Sequence, residues 1–171
     1  GSGPSGFVFY PGTGLSDRYE DHFFMCNFLG SPEHSGIISM KMVPDGAGFK
    51  VEDVHDFVKG VLCTDVDFDV QGSMIISDWV EGWYSTNTGR ILKISDPSRQ
   101  DQNRSVEAIL TSDFSTMGVA DLIDLLSHAN QRVRQQSQFE LARRGDSERL
   151  ELVALDPEVD QMARIHAIWA L

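Results

Sequence analysis

Over the first 97 residues, apolar side chains recur at alternate positions in short runs, and clusters of turn-forming residues separate the runs. "GFVFYPG" (6–12) and "DHFFMCNFLG" (21–30) are aromatic-rich and bounded by Gly and Pro, which predicts two strands. "GIISMKMVPDGAGFKVEDV" (36–54) predicts a hairpin, with Pro44, Asp45, Gly46 and Gly48 in its turn. "TDVDFDVQGSMIISDWV" (64–80) repeats the theme: an alternating strand, a turn at Gln71 and Gly72, and a second strand running through Trp79. "GRILKISDP" (89–97) closes the series.

Beyond Pro97 the period changes. "SRQDQNRS" (98–105) is polar and predicts a linker. From Val106 the apolar spacing is helical. Leu122, Leu125 and Leu126 share one face of a helix ending near His128. A second helix runs from Gln131 to Arg144, with Val133, Phe139, Leu141 and Ala142 as core candidates, and Gly145 stops it. Leu150, Leu152, Val153 and Leu155 define a third helix, and a fourth begins at Gln161.

Two internal repeats underlie these patterns. Gly36-Ile37-Ile38 aligns with Gly89-Arg90-Ile91, and Met25 to Phe28 aligns with Ile76 to Trp79, about 50 residues apart, a spacing that suits the blades of a β-propeller. Arg134, Ser137, Phe139 and Leu141 align with Arg164, Ala167, Trp169 and Leu171 at an offset of 30 residues, the pattern of a HEAT-type helical solenoid. The expected fold class is therefore β plus α in two domains. Residues 1–97 form propeller blades of an incomplete propeller, 98–105 a linker, and 106–171 HEAT-like helical repeats that stop without a polar cap. The chain reads as a piece of something longer.

Composition narrows the function. With 41% hydrophobic and 23% charged residues, the chain is of ordinary globular make-up. A net charge of -12 repels phosphate backbones, so no nucleic-acid partner is expected. No apolar run approaches the roughly 18 residues that span a bilayer. Cys26 and Cys63 form neither CxxC nor CxxCH, and buried thiols are favoured over a disulfide.

Taken together, "GPSGFVFYPGTGL", "GVLCTDVDF", "SDWVEGW", "TGRILKISDP" and "QRVRQQSQFELARRG" resemble the membrane-bound dehydrogenase family of planctomycete-type bacteria. The resemblance implies a glucose/sorbosone-dehydrogenase-like β-propeller, then HEAT repeats, then a c-type haem domain, in a secreted protein of the periplasm or exterior. It further implies a parent that oxidises sugars or alcohols with pyrroloquinoline quinone and calcium. The catalytic base and most cofactor ligands of that family have no matching position here, so none is carried over, and this chain alone is expected to be inactive. Its implied partners are the remaining blades and further HEAT repeats of its own parent, with sugar or polysaccharide as ligand. The alternative is a non-catalytic propeller and HEAT module that binds polysaccharide or protein.

Candidate residues follow from propeller topology, in which certain loops open on one ligand-binding face. Those loops contribute Ser5, His34, Thr64, Asp65, Trp83 and Tyr84. His34 alone suits general-base work near neutral pH, though no carboxylate partner is evident for it. Trp83 and Tyr84 offer rings for a sugar, or equally for packing. Asp65, Asp67 and Asp69 begin like a calcium loop, but Val70 stands where the loop needs Gly and Ile76 where it needs Glu. On a strand such carboxylates stand about 6.6 Å apart, so structural hydrogen bonding is favoured. One calcium held by Asp65 and a loop carbonyl is the alternative left open. His22 has no spaced partner. The arginines at 132, 134, 143 and 144 read as a solvated helix face.

Overall fold

The structure, a computed structural model, describes residues 3–81, 83 and 87–171. Two compact units divide the chain, Gly1–Gln100 and Asp101–Leu171. The first carries two antiparallel meanders. Strands β1 (Gly3–Phe9), β2 (His22–Phe28), β3 (Gly36–Asp45) and β4 (Gly48–Lys59) form a four-stranded sheet in that order. Strands β5 (Cys63–Phe68), β6 (Met74–Asp78) and β7 (Arg90–Ile94) form a three-stranded one.

Alternation decides which side chains enter the core. His22, Phe24 and Cys26 point inward from β2, and Met74, Ile76 and Asp78 from β6. The interior is aromatic: Tyr10 and Phe24 meet Phe68 with ring centroids 5.7 and 5.8 Å away, in edge-to-face geometry. The Tyr10 hydroxyl donates to the Leu15 carbonyl (2.8 Å) and accepts from the Leu15 amide (2.9 Å), closing the Pro-Gly-Thr-Gly loop over this core. The sheets come so close that a Cβ at Gly6 would lie 2.7 Å from Asp65 Cα. Only glycine fits there.

The β3–β4 hairpin forms where the pattern predicts it, with Gly46 and Ala47 between the paired residues Asp45 and Gly48. Its register shifts twice, between Ile37 and Ile38 and between Ser39 and Lys41, and the second shift positions Asp53. Ser39 pairs with His55 and Lys41 with Glu52, so Asp53 and Val54 together oppose Met40 as a β-bulge. Asp53 takes φ +50°, left-handed backbone that few residues other than glycine adopt.

The second unit holds α1 (Gln100–Leu110, whose first residue falls in the first unit), α2 (Val119–Leu125), α3 (Gln131–Arg144), α4 (Ser147–Leu155) and α5 (Gln161–Ala170). The stretch 98–105, expected as a linker, enters α1 at Gln100. Leu122, Leu126, Leu141 and Leu150 pack with Ala163 and Ala167 in an aliphatic core. Asn130 Oδ1 accepts from the amides of Arg132 and Val133, and Asp160 Oδ1 from those of Met162 and Ala163, so matching N-caps recur 30 residues apart. Gly145, at φ +70°, ends α3 as expected.

Two expectations need correction here. Of the core candidates on α3, Phe139 is 59% exposed and Ala142 is exposed as well, as is Trp169 at 64% on α5, because the buried stripe of α3 runs through Val133, Ser137 and Leu141, and position 139 lies about 200° round the helix from 137. The arginines are not simply solvated. Arg134 donates to the carbonyls of His128 (2.6 Å) and Ala129 (2.9 Å), and Arg144 to those of Phe114 and Ser115 (both 3.1 Å). Among the described residues the sheets close no propeller or barrel, and no HEAT architecture is established. The described residues form two antiparallel sheets and a helical unit.

Candidate functional site

The predicted site residues fall in three places. Ser5 donates to the Cys63 carbonyl (3.2 Å), beside Thr64, whose hydroxyl lies 2.8 Å from that of Ser77. Thr64 lines an open groove of about 610 Å³ with Ser77, Trp79, Arg90 and Ile91. Trp83 stands edge-on to Trp79 with centroids 4.8 Å apart, and at 71% exposure it offers most of its ring to solvent. Phe28 stacks on Trp79 at 6.2 Å. Asp65 faces outward into a separate groove of about 140 Å³, its Oδ1 accepting the Val66 amide. His34 is exposed beside a third groove of about 220 Å³, its Nδ1 2.9 Å from the Ser31 hydroxyl. Tyr84 lies outside the described residues.

The wall of the Trp79 groove is built by one buried carboxylate. Asp78 Oδ1 accepts the amides of Leu62 (3.1 Å) and Val80 (3.0 Å), and Oδ2 accepts from Arg90 Nε at 2.6 Å. Trp79 in turn donates its amide to the Leu62 carbonyl (3.0 Å). Val80 then adopts φ +61°, which costs a β-branched residue on the order of 1–3 kcal/mol. The bonds to Asp78 and Leu62 hold this strained turn and fix the Trp79 ring.

The aspartates at 65, 67 and 69 do not fit a calcium cage. Asp67 Oδ1 accepts the Phe68 amide (2.8 Å). Asp69 Oδ1 caps the turn through Gln71 and Ser73 (both 2.9 Å), while its Oδ2 pairs with Lys93 at 2.8 Å. One oxygen of each is taken by backbone amides, and for Asp69 the second is taken by Lys93. Cys26 and Cys63 are free and buried in the same core, Cys63 Sγ donating to the Gly36 carbonyl at 3.0 Å. A shared hydrogen bond with Cys63, together with burial, pushes the Cys26 thiol up, which makes it a poor nucleophile.

Sequence reasoning missed a second cluster. His22, fully buried at the start of β2, has Nδ1 3.1 Å from the Glu20 carbonyl and Nε2 3.1 Å from Asp53 Oδ2. His55 has Nδ1 3.1 Å from the Asp53 backbone carbonyl, 3.4 Å from Arg18 Nη2 and 3.7 Å from Asp53 Oδ1. Arg18 donates to both Asp53 oxygens, at 2.7 and 2.9 Å, and this holds the Asp53 carboxyl far below the usual carboxylate range. The Tyr19 ring closes the cluster edge-on to His22 at 5.6 Å. The one local signal is Asp53-Val54-His55, an i, i+2 pair on a strand. Arg18 and His22 lie more than 30 residues away, His22 brought to it by sheet register and Arg18 by the 3-10 turn that precedes β2.

In the helical unit His166 is buried between Gln138 and Arg134. Arg134 Nε donates to Nε2 (3.2 Å), so Nδ1 carries the proton and donates to Gln138 Oε1 (2.7 Å). Burial holds His166 below its ordinary pKa. Compared with family models, with curated proteins and with solved structures, the chain matches none.

Proposed function

We propose that the sheet unit is a non-catalytic wall that binds a saccharide in the groove at Trp79, two successive blades of a propeller-type module. The observation that carries this reading is the pairing of aromatic and hydrogen-bonding groups in one groove. Trp79 lines the groove, and the exposed Trp83 ring set edge-on against it offers an apolar face to sugar C–H groups. Arg90 and the hydroxyls of Thr64 and Ser77 offer donors and acceptors to sugar hydroxyls. Among the described residues the carboxylate lining this groove is that of Asp78, and it is held by the Leu62 and Val80 amides and by Arg90.

Titration of the protein with a panel of soluble oligosaccharides, followed by tryptophan fluorescence, tests the reading. A saturable change is expected, weakened about tenfold or more by Trp83→Ala, with the far-ultraviolet circular dichroism unchanged because this ring is mostly exposed. A panel with no saturable response, or a Trp83→Ala protein that binds as well as the parent, refutes it.

A second reading places the same wall in a secreted, quinone-dependent sugar or alcohol dehydrogenase of the periplasm or exterior. There the helices would be HEAT-type repeats bridging to a haem domain. Its support is the series of antiparallel meanders together with the N-caps and arginines repeating at an offset of 30: Arg134 and Arg164 both reach back to carbonyls before their own helices. No described residue is assigned to the quinone, calcium or haem. Calcium-dependent reconstitution of the longer protein with the quinone, followed by dye reduction on sugars and alcohols, tests this reading. Inactivity across the panel rejects it.

A further inference from the structure

We propose that His22, Asp53 and His55 bind a nitrogen-preferring divalent metal ion of the zinc class, and that the Arg18 guanidinium is the alternative occupant of the same place.

The argument starts from what faces His22. A carbonyl can only accept, so the bond to Glu20 puts a proton on Nδ1 and, in the neutral ring, leaves the lone pair on Nε2. That lone pair meets an ionised carboxylate oxygen at 3.1 Å. Two electron-rich atoms at this distance demand a positive centre between them, either a proton or a metal ion. A histidine whose second nitrogen is anchored on a backbone carbonyl is how proteins orient a metal ligand.

The spacing also fits. Bonds of about 2.0–2.2 Å from a tetrahedral metal put its ligand atoms about 3.3–3.6 Å apart. The Nε2–Oδ2 separation of 3.1 Å and the Oδ1–Nδ1 separation of 3.7 Å from Asp53 to His55 straddle that range, and His55 Nδ1, which also lies 3.1 Å from the Asp53 carbonyl, gives up that contact and moves its proton to Nε2 when it turns its lone pair to the ion. All three residues present ligand atoms within 4.8 Å of one another. Preorganisation is strong on one side and adjustable on the other: the His22 ring is sealed from solvent, while the bulge holds Asp53 in left-handed backbone between the two imidazoles. Two imidazoles and one carboxylate suit zinc, cobalt or nickel, and not magnesium or calcium, which prefer oxygen cages.

Arg18 completes the reasoning. Its guanidinium donates to both carboxylate oxygens and lies 3.4 Å from His55 Nδ1, where the ion's charge would be needed. Its side chain is half exposed and can swing into water when an ion enters, whereas His22 cannot. A bound ion would keep an open position for water on the side Arg18 vacates. The arginine is thus a built-in competitor, and the proposal fixes the sign of its removal.

The test is titration of the whole chain with Zn²⁺ by calorimetry and with Co²⁺ by visible absorption, with Mg²⁺ as comparison. One Zn²⁺ per chain and no Mg²⁺ binding are expected. Asp53→Asn, nearly isosteric and tolerant of the same backbone, and His55→Ala, partly exposed, each weaken Zn²⁺ by more than the roughly 10–100-fold that outer-shell changes cost. Arg18→Gln binds Zn²⁺ more tightly than the parent, a gain that a purely structural ion-pair network would not produce. The proposal is overturned by absence of stoichiometric Zn²⁺ binding to the folded parent, by Asp53→Asn retaining it, or by Arg18→Gln binding no tighter.

Discussion

Each unit buries a histidine, and the two are held in opposite ways. His166 sits between a donor, Arg134, and an acceptor, Gln138, so its neutral ring satisfies both neighbours. His22 sits between two acceptors, the Glu20 carbonyl and the Asp53 carboxylate, so its neutral ring leaves one of them without a proton. The first arrangement is complete in itself and reads as structural. The second calls for an added positive charge. Burial alone does not distinguish these residues, since both are almost wholly enclosed. The identity of the second-nearest atom does.

The sharpest way to break the comparison is to unbalance His166. Gln138→Leu keeps the volume and removes the acceptor of the Nδ1 proton, leaving a buried donor without a partner. The expected cost is about 1–3 kcal/mol, read by urea denaturation. A cost near zero would mean that His166 is not closed by its neighbours, and the contrast with His22 would fail.

Acid should separate the units next. Burial holds both His128 and His166 below their ordinary value near 6.5, so the folded helical unit binds fewer protons than the unfolded chain. Its stability is therefore full above pH 6.5 and falls as the pH drops through the lowered folded values. A further loss follows between about 4.5 and 2, because Arg143 and then Arg144 hold Glu140 down at about 2. Asp53 is lowered too, chiefly by Arg18, so its contribution persists until much stronger acid. Hydrogen exchange read unit by unit between pH 7 and 5 should show α3 and α5 losing protection before β2 and β3. The reverse order would contradict the assignment of a neutral His166.

Local signals made much of the fold legible. Alternation marked β2 and β6, Asp45 to Gly48 marked the hairpin, and Gly145 the end of α3. The failures lie where the decisive information is not local. Phe139 was misread because residues of equal hydropathy sit on both sides of α3, and only the partner helices select the stripe through Ser137. The start of α1 was hidden in a polar stretch, since Asp96 initiates it through the Ser98 amide without an apolar signal. Thr64 and Trp83 both meet the stretch at the end of β6, Thr64 through Ser77 and Trp83 through Trp79. His22 was missed because its partners depend on a bulge, and a one-residue irregularity in β4 leaves no periodic trace. Register, not composition, placed Asp53 against both imidazoles.

The smallest expected effect is on metal-free Arg18→Gln. The pair it breaks is largely exposed, with half of the Arg18 side chain in solvent, and such pairs add little to stability at ordinary salt. Thermal melting in the presence of a chelator should therefore shift by no more than a few degrees. Adding Zn²⁺ should then raise the melting temperature of Arg18→Gln more than that of the parent, because a ligand that binds only the folded state stabilises it by RT ln(1 + [L]/Kd), which grows as binding tightens. Under the opposite reading, Arg18 is a structural keystone: the variant would melt far lower and zinc would not restore it. The ratio of these two shifts decides whether the positive charge that His22 and Asp53 demand belongs to Arg18 alone or is a place that an ion can take.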